Sequence, residues 1–333
     1  MKNYSVIFTH KGHAQLLESN MPEKAMGSEV LGRTIVSVIS NGSETGGFMA
    51  YPGSENIFPT ETGYANIMEV IDIGDEVDDI VPGDYVFTLT HHRLYNKAKQ
   101  EDIIKVPNQA PPEKAVLCRF PAVSMTAFLL SSVKPTEPAL VLGLGVIGLM
   151  CAQVLKKCGY TVYCTDISES RRTIAQKCGL DHVASEISQL GIVEKSIGLC
   201  IDCTGNDEAI ISSIPYIRYY GELMLVGVPW LKTSDLSAHD FFHQIFYSYL
   251  HVISGFEWGL PRNSSEFVPN SNMHSMETAM QWILDGSIKT DGIYTLYDPR
   301  DCTSLYPAIA AHNIPTPCCI FDWESFYKET SYE

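Results

Sequence analysis

The stretch from Pro138 to Asp166 constrains this chain more than any other. An all-apolar run, Ala139 to Leu142, leads into Gly143-x-Gly145-x-x-Gly148; an apolar-striped segment follows to Lys157, and a second apolar run ends at Asp166. Strand, glycine turn, helix, strand and acid is the order of a dinucleotide-binding βαβ unit. Each glycine has its own task. Gly143 makes the tight turn, Gly145 lets backbone approach a pyrophosphate, and Gly148 lets helix and strand pack closely. The N–H groups at the helix start, around Val146 and Ile147, are placed to meet phosphate, where the helix dipole also favours negative charge. Asp166 is placed to accept hydrogen bonds from a ribose 2′-hydroxyl. A membrane-spanning helix over Ala139 to Leu155 is disfavoured, because three glycines and Gln153 interrupt a run barely long enough to cross a bilayer.

A chain of 333 residues points to two domains. Hydrophobic residues make up 45% and charged residues 19%, the balance of a globular protein with a sizeable core. A net charge of −16 argues against nucleic acid or anionic membrane as a partner. The opening Met1-Lys-Asn-Tyr-Ser-Val has no long apolar core, so no signal peptide is expected and the cytoplasm is the expected compartment. Ten cysteines invite a test for metal. Cys200 and Cys203 form a C-x-x-C, but they sit at a buried strand and its turn, where residues three apart point to opposite faces. No four-cysteine zinc lobe is visible.

Residues from Tyr4 to about Leu130 read as a turn-rich antiparallel region. Val30 to Ile39 is a β-branched strand that breaks into a turn at Ser40-Asn-Gly-Ser-Glu44. Glu69 to Val77 reads as strand, turn and strand, and Val81-Pro-Gly-Asp feeds another strand. A small bent β-barrel fits this pattern. From Pro138 strands and helices alternate. The final segment, with a helix over Leu305 to Ala311 and a strand at Cys319 to Asp322, has no partner in the alternation and is expected to return to the first domain. The expected domains are 1–130 with 290–333, and 131–289.

With these landmarks the chain resembles the medium-chain dehydrogenase/reductase family. The resemblance rests on Gly63 through Val77 with Val81-Pro-Gly-Asp-Tyr-Val, on Pro121-Ala-Val-Ser-Met-Thr-Ala-Phe, on the glycine motif with Asp166, and on Gly221-Glu-Leu-Met-Leu-Val-Gly-Val. It implies an α/β fold in which a Rossmann doubly wound parallel sheet is inserted into a GroES-like bent β-barrel catalytic domain. It further implies that Thr204, Gly205, Val226, Gly227 and Val228 touch the cofactor, and that the protein is a homodimer or homotetramer. The family's zinc ligands have no counterparts. Ser40-Asn-Gly-Ser-Glu44 stands where the ligand cysteine would be, Gly63-Tyr64-Ala65 replaces Gly-His-Glu, and Ala122 takes the third place. The pattern is most similar to a zinc-free branch that includes bacteriochlorophyllide a dehydrogenase-like oxidoreductases, so no zinc is expected.

Without a metal, hydrogen-bond donors must manage the charge on the substrate oxygen. By position in the family, Tyr64 is the first candidate and Ser43, a hydroxyl that matches a proton relay, the second. Ser40 and Asn41 are further candidates, with Glu44 orienting them. His91 and His92 follow a strand and carry the side chain best suited to general acid–base work near neutral pH. A replacement metal site built from His91, His92 and Glu44 is the rival use of the same residues. Asp166 favours NAD, while Arg171 and Arg172 leave NADP possible. The expected activity is zinc-independent alcohol–carbonyl interconversion on a small or medium organic molecule. The alternatives are NADPH-dependent reduction of an activated C=C bond and a non-catalytic dinucleotide sensor.

Overall fold

A computed structural model describes residues 2–54 and 57–330. The chain divides into two compact units, one running to Cys118 and resuming at Asp291, the other spanning Arg119–Thr290. The expected boundary at 130 falls at 118 instead. The helix Arg119–Leu130 is buried along most of its length and packs on the helices Val146–Lys157 and Asn272–Leu284, so it belongs to the second unit.

In the first unit the strand Glu29–Val38 is central because nearly all of it is buried. One of its edges pairs antiparallel with Ala65–Ile73. The other edge is shared: residues 29–33 pair with Tyr95–Lys99, and residues 36–38 with Cys318–Asp322. Register shifts at Leu31/Gly32 and Thr34/Val36 bend the strand between its two sets of partners. The C-terminal strand therefore completes this sheet. A three-stranded sheet of His13–Ser19, Asn3–His10 and Thr60–Glu61 accompanies it. The core gathers Phe8, Phe48, Tyr306, Phe321, Trp323 and Phe326. Each such ring contributes about 1.5–3 kcal/mol on burial.

Two local expectations change. Asp75 to Val77 is a turn and not a second strand, and the supposed turn after Ile39 is the helix Asn41–Phe48. Three glycines in that helix masked it. Its start is held by the Glu44 carboxylate, which accepts the Ser40 N–H at 2.7 Å.

The second unit is a six-stranded parallel sheet. Its strands run in the order His182–Ala184, Val162–Thr165, Ala139–Leu142, Ile197–Asp202, Ile217–Leu225 and His251–Ser254. The central strands Ala139–Leu142 and Ile197–Asp202 are buried at every residue, which is why they read as unbroken apolar runs. The strand order reverses beside Ala139–Leu142, and such switch points are where open α/β sheets bind ligands. The register makes the carboxyl edge flush: Thr165, Leu142, Asp202, Leu225 and Ser254 stand side by side. The turns that leave the sheet there are Gly143, Asp166, Cys203–Gly205, Val226–Val228 and Gly255. No helix among the described residues is long and apolar enough to cross a membrane.

Candidate functional site

At the carboxyl edge of the parallel sheet the turns are built by close backbone approach. Gly143 has φ +84, and a Cβ there would lie 2.6 Å from the Thr204 methyl. At Gly148 a Cβ would fall 1.8 Å from the Gly143 carbonyl oxygen, so no side chain fits. Gly205 has φ +64, and its Cβ would meet the Val228 carbonyl at 2.5 Å; one on Gly227 would meet the Gly205 nitrogen at 2.3 Å. Gly145 differs, because nothing lies within 4 Å of its Cβ direction. It caps the helix Val146–Lys157 without a side-chain cap bond, and no acid occupies the first turn. The open face at Gly145 and the helix start behind it form the cradle that a pyrophosphate needs.

Asp166 is buried at the end of Val162–Thr165. Its Oδ2 accepts the Leu144 N–H at 2.7 Å and its Oδ1 the Ser168 N–H at 2.7 Å. The carboxylate thus braces the glycine turn. Arg171 lies 3.6 Å from Asp166, whereas Arg172 is turned back onto the carbonyls of Asp166 and Ile167, at 2.8 and 2.9 Å. Asp202 has the matching place on the neighbouring strand. It accepts the N–H and hydroxyl of Thr204 and the Gly205 N–H, at 2.9, 2.5 and 3.0 Å. Burial pushes its carboxyl above the ordinary value, although the Thr204 and Gly205 bonds oppose this. An acid ending an all-apolar strand was its signal in the sequence, the same signal that singled out Asp166.

Beside the Val226–Val228 turn lies a cavity of about 760 Å³, lined by Ile210, Leu225, Val252 and Phe256 among other apolar groups. Asp207 latches its rim by accepting the N–H groups of Thr233 and Ser234 at 2.9 and 3.2 Å.

In the first unit, Ser40, Ser43, Tyr64, His91 and His92 come from three segments. Ser43 is exposed on the Asn41–Phe48 helix, Ser40 is buried at its cap, and Tyr64 is half-buried. Gly63 has φ +154, and a Cβ on it would lie 2.4 Å from the His91 Cα, so the Tyr64 backbone runs against His91–His92. His91 is exposed, with its Nε2 4.0 Å from Glu61. Partial desolvation of the ring by its surroundings outweighs the pull of Glu61 and lowers its pKa.

His92, expected to face substrate, has no exposed surface. Its Nε2 donates to the Glu44 carboxylate at 3.2 Å, and its Nδ1 pairs with Ser37 Oγ at 2.7 Å. Glu44 also accepts the hydroxyls of Thr62 (2.7 Å) and Tyr306 (2.6 Å), and Ser37 Oγ accepts the Trp323 indole N–H at 2.8 Å. Burial raises the Glu44 carboxyl, but His92 and the two hydroxyls outweigh it and hold the group below its ordinary value. Sequence reading missed Thr62, Tyr306, Trp323 and Ser37, and no spacing signals them: Tyr306 lies 262 positions from Glu44, and Trp323 lies 286 from Ser37.

A family model for zinc-binding dehydrogenases matches residues 146–267. The (R,R)-butanediol dehydrogenase of Bacillus subtilis is 24% identical over 226 residues, covering 57% of this chain and 64% of that protein. The chain spans 64% or less of the length of this and the sorbitol dehydrogenase of the same organism. Galactitol-1-phosphate dehydrogenase from Escherichia coli superposes with a TM-score of 0.79 at 19% identity, covering 96% of this chain and 99% of that one. Acetophenone reductase from Geotrichum candidum, solved with NAD, gives 0.79 at 16% identity over 96% and 97%. The whole chain thus has the fold of these dehydrogenases.

An unusual donor set stands where the resemblance would place a zinc. Ser40 and Tyr64 offer neutral hydroxyls, whereas catalytic zinc takes thiolate, imidazole and carboxylate ligands. The residues do not fit that metal. Among the described residues no three His, Cys, Asp or Glu side chains gather as a metal site. Glu44 and His92 are instead taken up by Thr62, Tyr306 and Ser37.

Proposed function

We propose that this protein is a zinc-independent, NAD(P)-dependent oxidoreductase that interconverts an alcohol and a carbonyl on a small or medium organic substrate. The observation that carries the reading is the flush carboxyl edge, with an open Gly145, a helix start without an acid, and a buried Asp166 at the end of the neighbouring strand. These residues suit a dinucleotide: the Val146 end of the helix for the pyrophosphate, Asp166 for the adenosine ribose, and the Thr204–Gly205 and Val226–Val228 turns for the nicotinamide half. A bound nicotinamide supplies or accepts the hydride.

The chain must then handle one proton and the charge on the substrate oxygen. The Tyr64 phenol gives its proton to the oxygen during carbonyl reduction and regains one afterwards. Ser40 and Ser43 hydroxyls donate hydrogen bonds to the same oxygen, and the exposed His91 exchanges the proton with water. The buried Asp166 carboxylate favours a free 2′-hydroxyl over a 2′-phosphate, which supports NAD. Arg171, at 3.6 Å, is the group that a 2′-phosphate would recruit.

Fluorescence titration with NADH and NADPH, metal analysis of the purified protein, and an assay with vicinal diols, ketones and enones test the reading together. Cofactor binding with diol or ketone turnover and no stoichiometric zinc is expected. Turnover of enones alone would favour C=C reduction, and binding without any turnover would favour a sensor. About one tightly held zinc per chain would overturn the metal-free reading.

We further infer a homodimer joined through the edge strand His251–Ser254. Among the described residues that strand pairs on one edge alone, and the adjoining helix Ala238–Ser248 exposes Phe242, Phe246 and Tyr247. Sedimentation analysis of Val252→Lys, expected to give monomer, checks this.

A further inference from the structure

All three segments that carry the candidate substrate-side groups end on one carboxylate. Glu44 holds the Ser40 N–H where the Asn41–Phe48 helix begins, the hydroxyl of Thr62 two residues before Tyr64, and the ring of His92, which follows His91. Thr62 and His92 are also joined through backbone, since the Thr62 carbonyl accepts the His92 N–H at 2.8 Å. Tyr306, from the chain beyond Asp291, adds a fourth donor, and its ring stacks against Phe48 of the same helix at 5.6 Å. Four donors converge on a group with two oxygens and no proton of its own, enclosed by Phe8, Phe48 and Phe321 around the Tyr306 ring. In so dry a setting each unmet donor carries its full desolvation penalty, so the three segments cannot shift independently.

We propose that Glu44 is a positioning residue that fixes Ser40 with Ser43, Tyr64 and His91 in a single arrangement while touching no reacting atom itself. The proposal rests on the reading of those four as substrate-side groups. His92 serves the same task from the other side: anchored to Ser37 and, through it, to Trp323, it stops the carboxylate from turning. The geometry separates two roles that the sequence had merged, because adjacent histidines point one ring to solvent and the other into the core.

The test compares the full-length wild type with Glu44→Gln, Thr62→Val and Thr62→Ser. Amide hydrogen exchange is followed at Ser40, His92 and, as a control, Val141 in the parallel sheet. Glu44→Gln leaves one carbonyl oxygen for four donors, and exchange at Ser40 and His92 is expected to quicken about 100-fold while Val141 is unchanged. Thr62→Val is expected to quicken His92 about tenfold, and Thr62→Ser, which keeps the hydroxyl, to restore wild-type protection. With whichever diol or ketone the wild type turns over, kcat falls in the order Ser, Val, Gln while the NADH dissociation constant stays within about twofold. Wild-type protection at Ser40 and His92 in Glu44→Gln overturns the proposal, as does equal loss in Thr62→Ser and Thr62→Val. If Glu44→Gln does not fold, the Thr62 pair decides. If no substrate is found, the oxidoreductase reading fails but the exchange data still decide the role of Glu44.

Discussion

The two units of this protein build their candidate sites by opposite means. At the carboxyl edge of the parallel sheet the candidate site rests on backbone: glycines at which an added Cβ would fall 1.8 Å from a carbonyl oxygen or 2.3 Å from a nitrogen, and acids that tie the turns to their own strands. In the first unit it rests on side chains brought from far apart, with Glu44 meeting Tyr306 and Ser37 meeting Trp323. A backbone site tolerates side-chain variation but no added Cβ. A side-chain site tolerates backbone variation but no lost partner.

The largest expected effect that sharpens this contrast comes from Glu44→Leu. It strands the Ser40 N–H, two hydroxyls and an imidazole in the core, and a loss of about 3–5 kcal/mol in urea unfolding is expected. NADH binding by the folded fraction should persist. Collapse of cofactor binding in that fraction would break the comparison. Gly148→Ala ranks next. Its Cβ would press on the Gly143 carbonyl and stand close to the Cys203 side chain, so about 3 kcal/mol is expected in thermal unfolding. An unchanged melting temperature would show that the turn is softer than its contacts imply.

Gly145→Ala should split stability from binding. With open space at the Cβ position, folding changes by less than about 1 kcal/mol. NADH affinity, read by fluorescence titration, falls about 10- to 100-fold because the methyl occupies the pyrophosphate approach. For Asp166→Ala a smaller effect is expected. NADH weakens about tenfold through lost ribose bonds, and NADPH gains relative to it as Arg171 is released. NADPH that stays as weak as before would remove Arg171 from consideration.

The smallest effect is one of pH. The Glu44 carboxyl is held below its ordinary value of 4.5 in the folded chain, so folded protein binds this proton less readily than unfolded protein does. Its stabilisation is present above about pH 4.5 and is lost as pH falls through the folded value. Urea midpoints between pH 6 and 3.5 should fall more steeply for the wild type than for Glu44→Gln. Parallel curves would mean that Glu44 is not ionised in the core.

Much of the fold was legible because its signals are local. The apolar runs Ala139–Leu142 and Ile197–Asp202, the glycine turn and Asp166 lie within short spans, and parallel strands buried on both faces show themselves as unbroken apolar sequence. The helix Asn41–Phe48 was not legible, since three glycines in eight residues lower its intrinsic propensity and only the Glu44 contact reveals its start. The helix Arg119–Leu130 was legible as a helix but not as part of the second unit, because allegiance is a matter of packing.

The same division holds for chemistry. By itself the sequence determined a glycine-rich strand-to-helix turn and an acid that ends the next strand, both properties of residue type and short spacing. Only the tertiary structure decided that His91 reaches solvent while His92 does not, and that Glu44 takes donors from Ser40, Thr62, His92 and Tyr306. Neighbours in sequence receive opposite environments from the fold, and partners hundreds of residues apart carry no periodicity that could announce them.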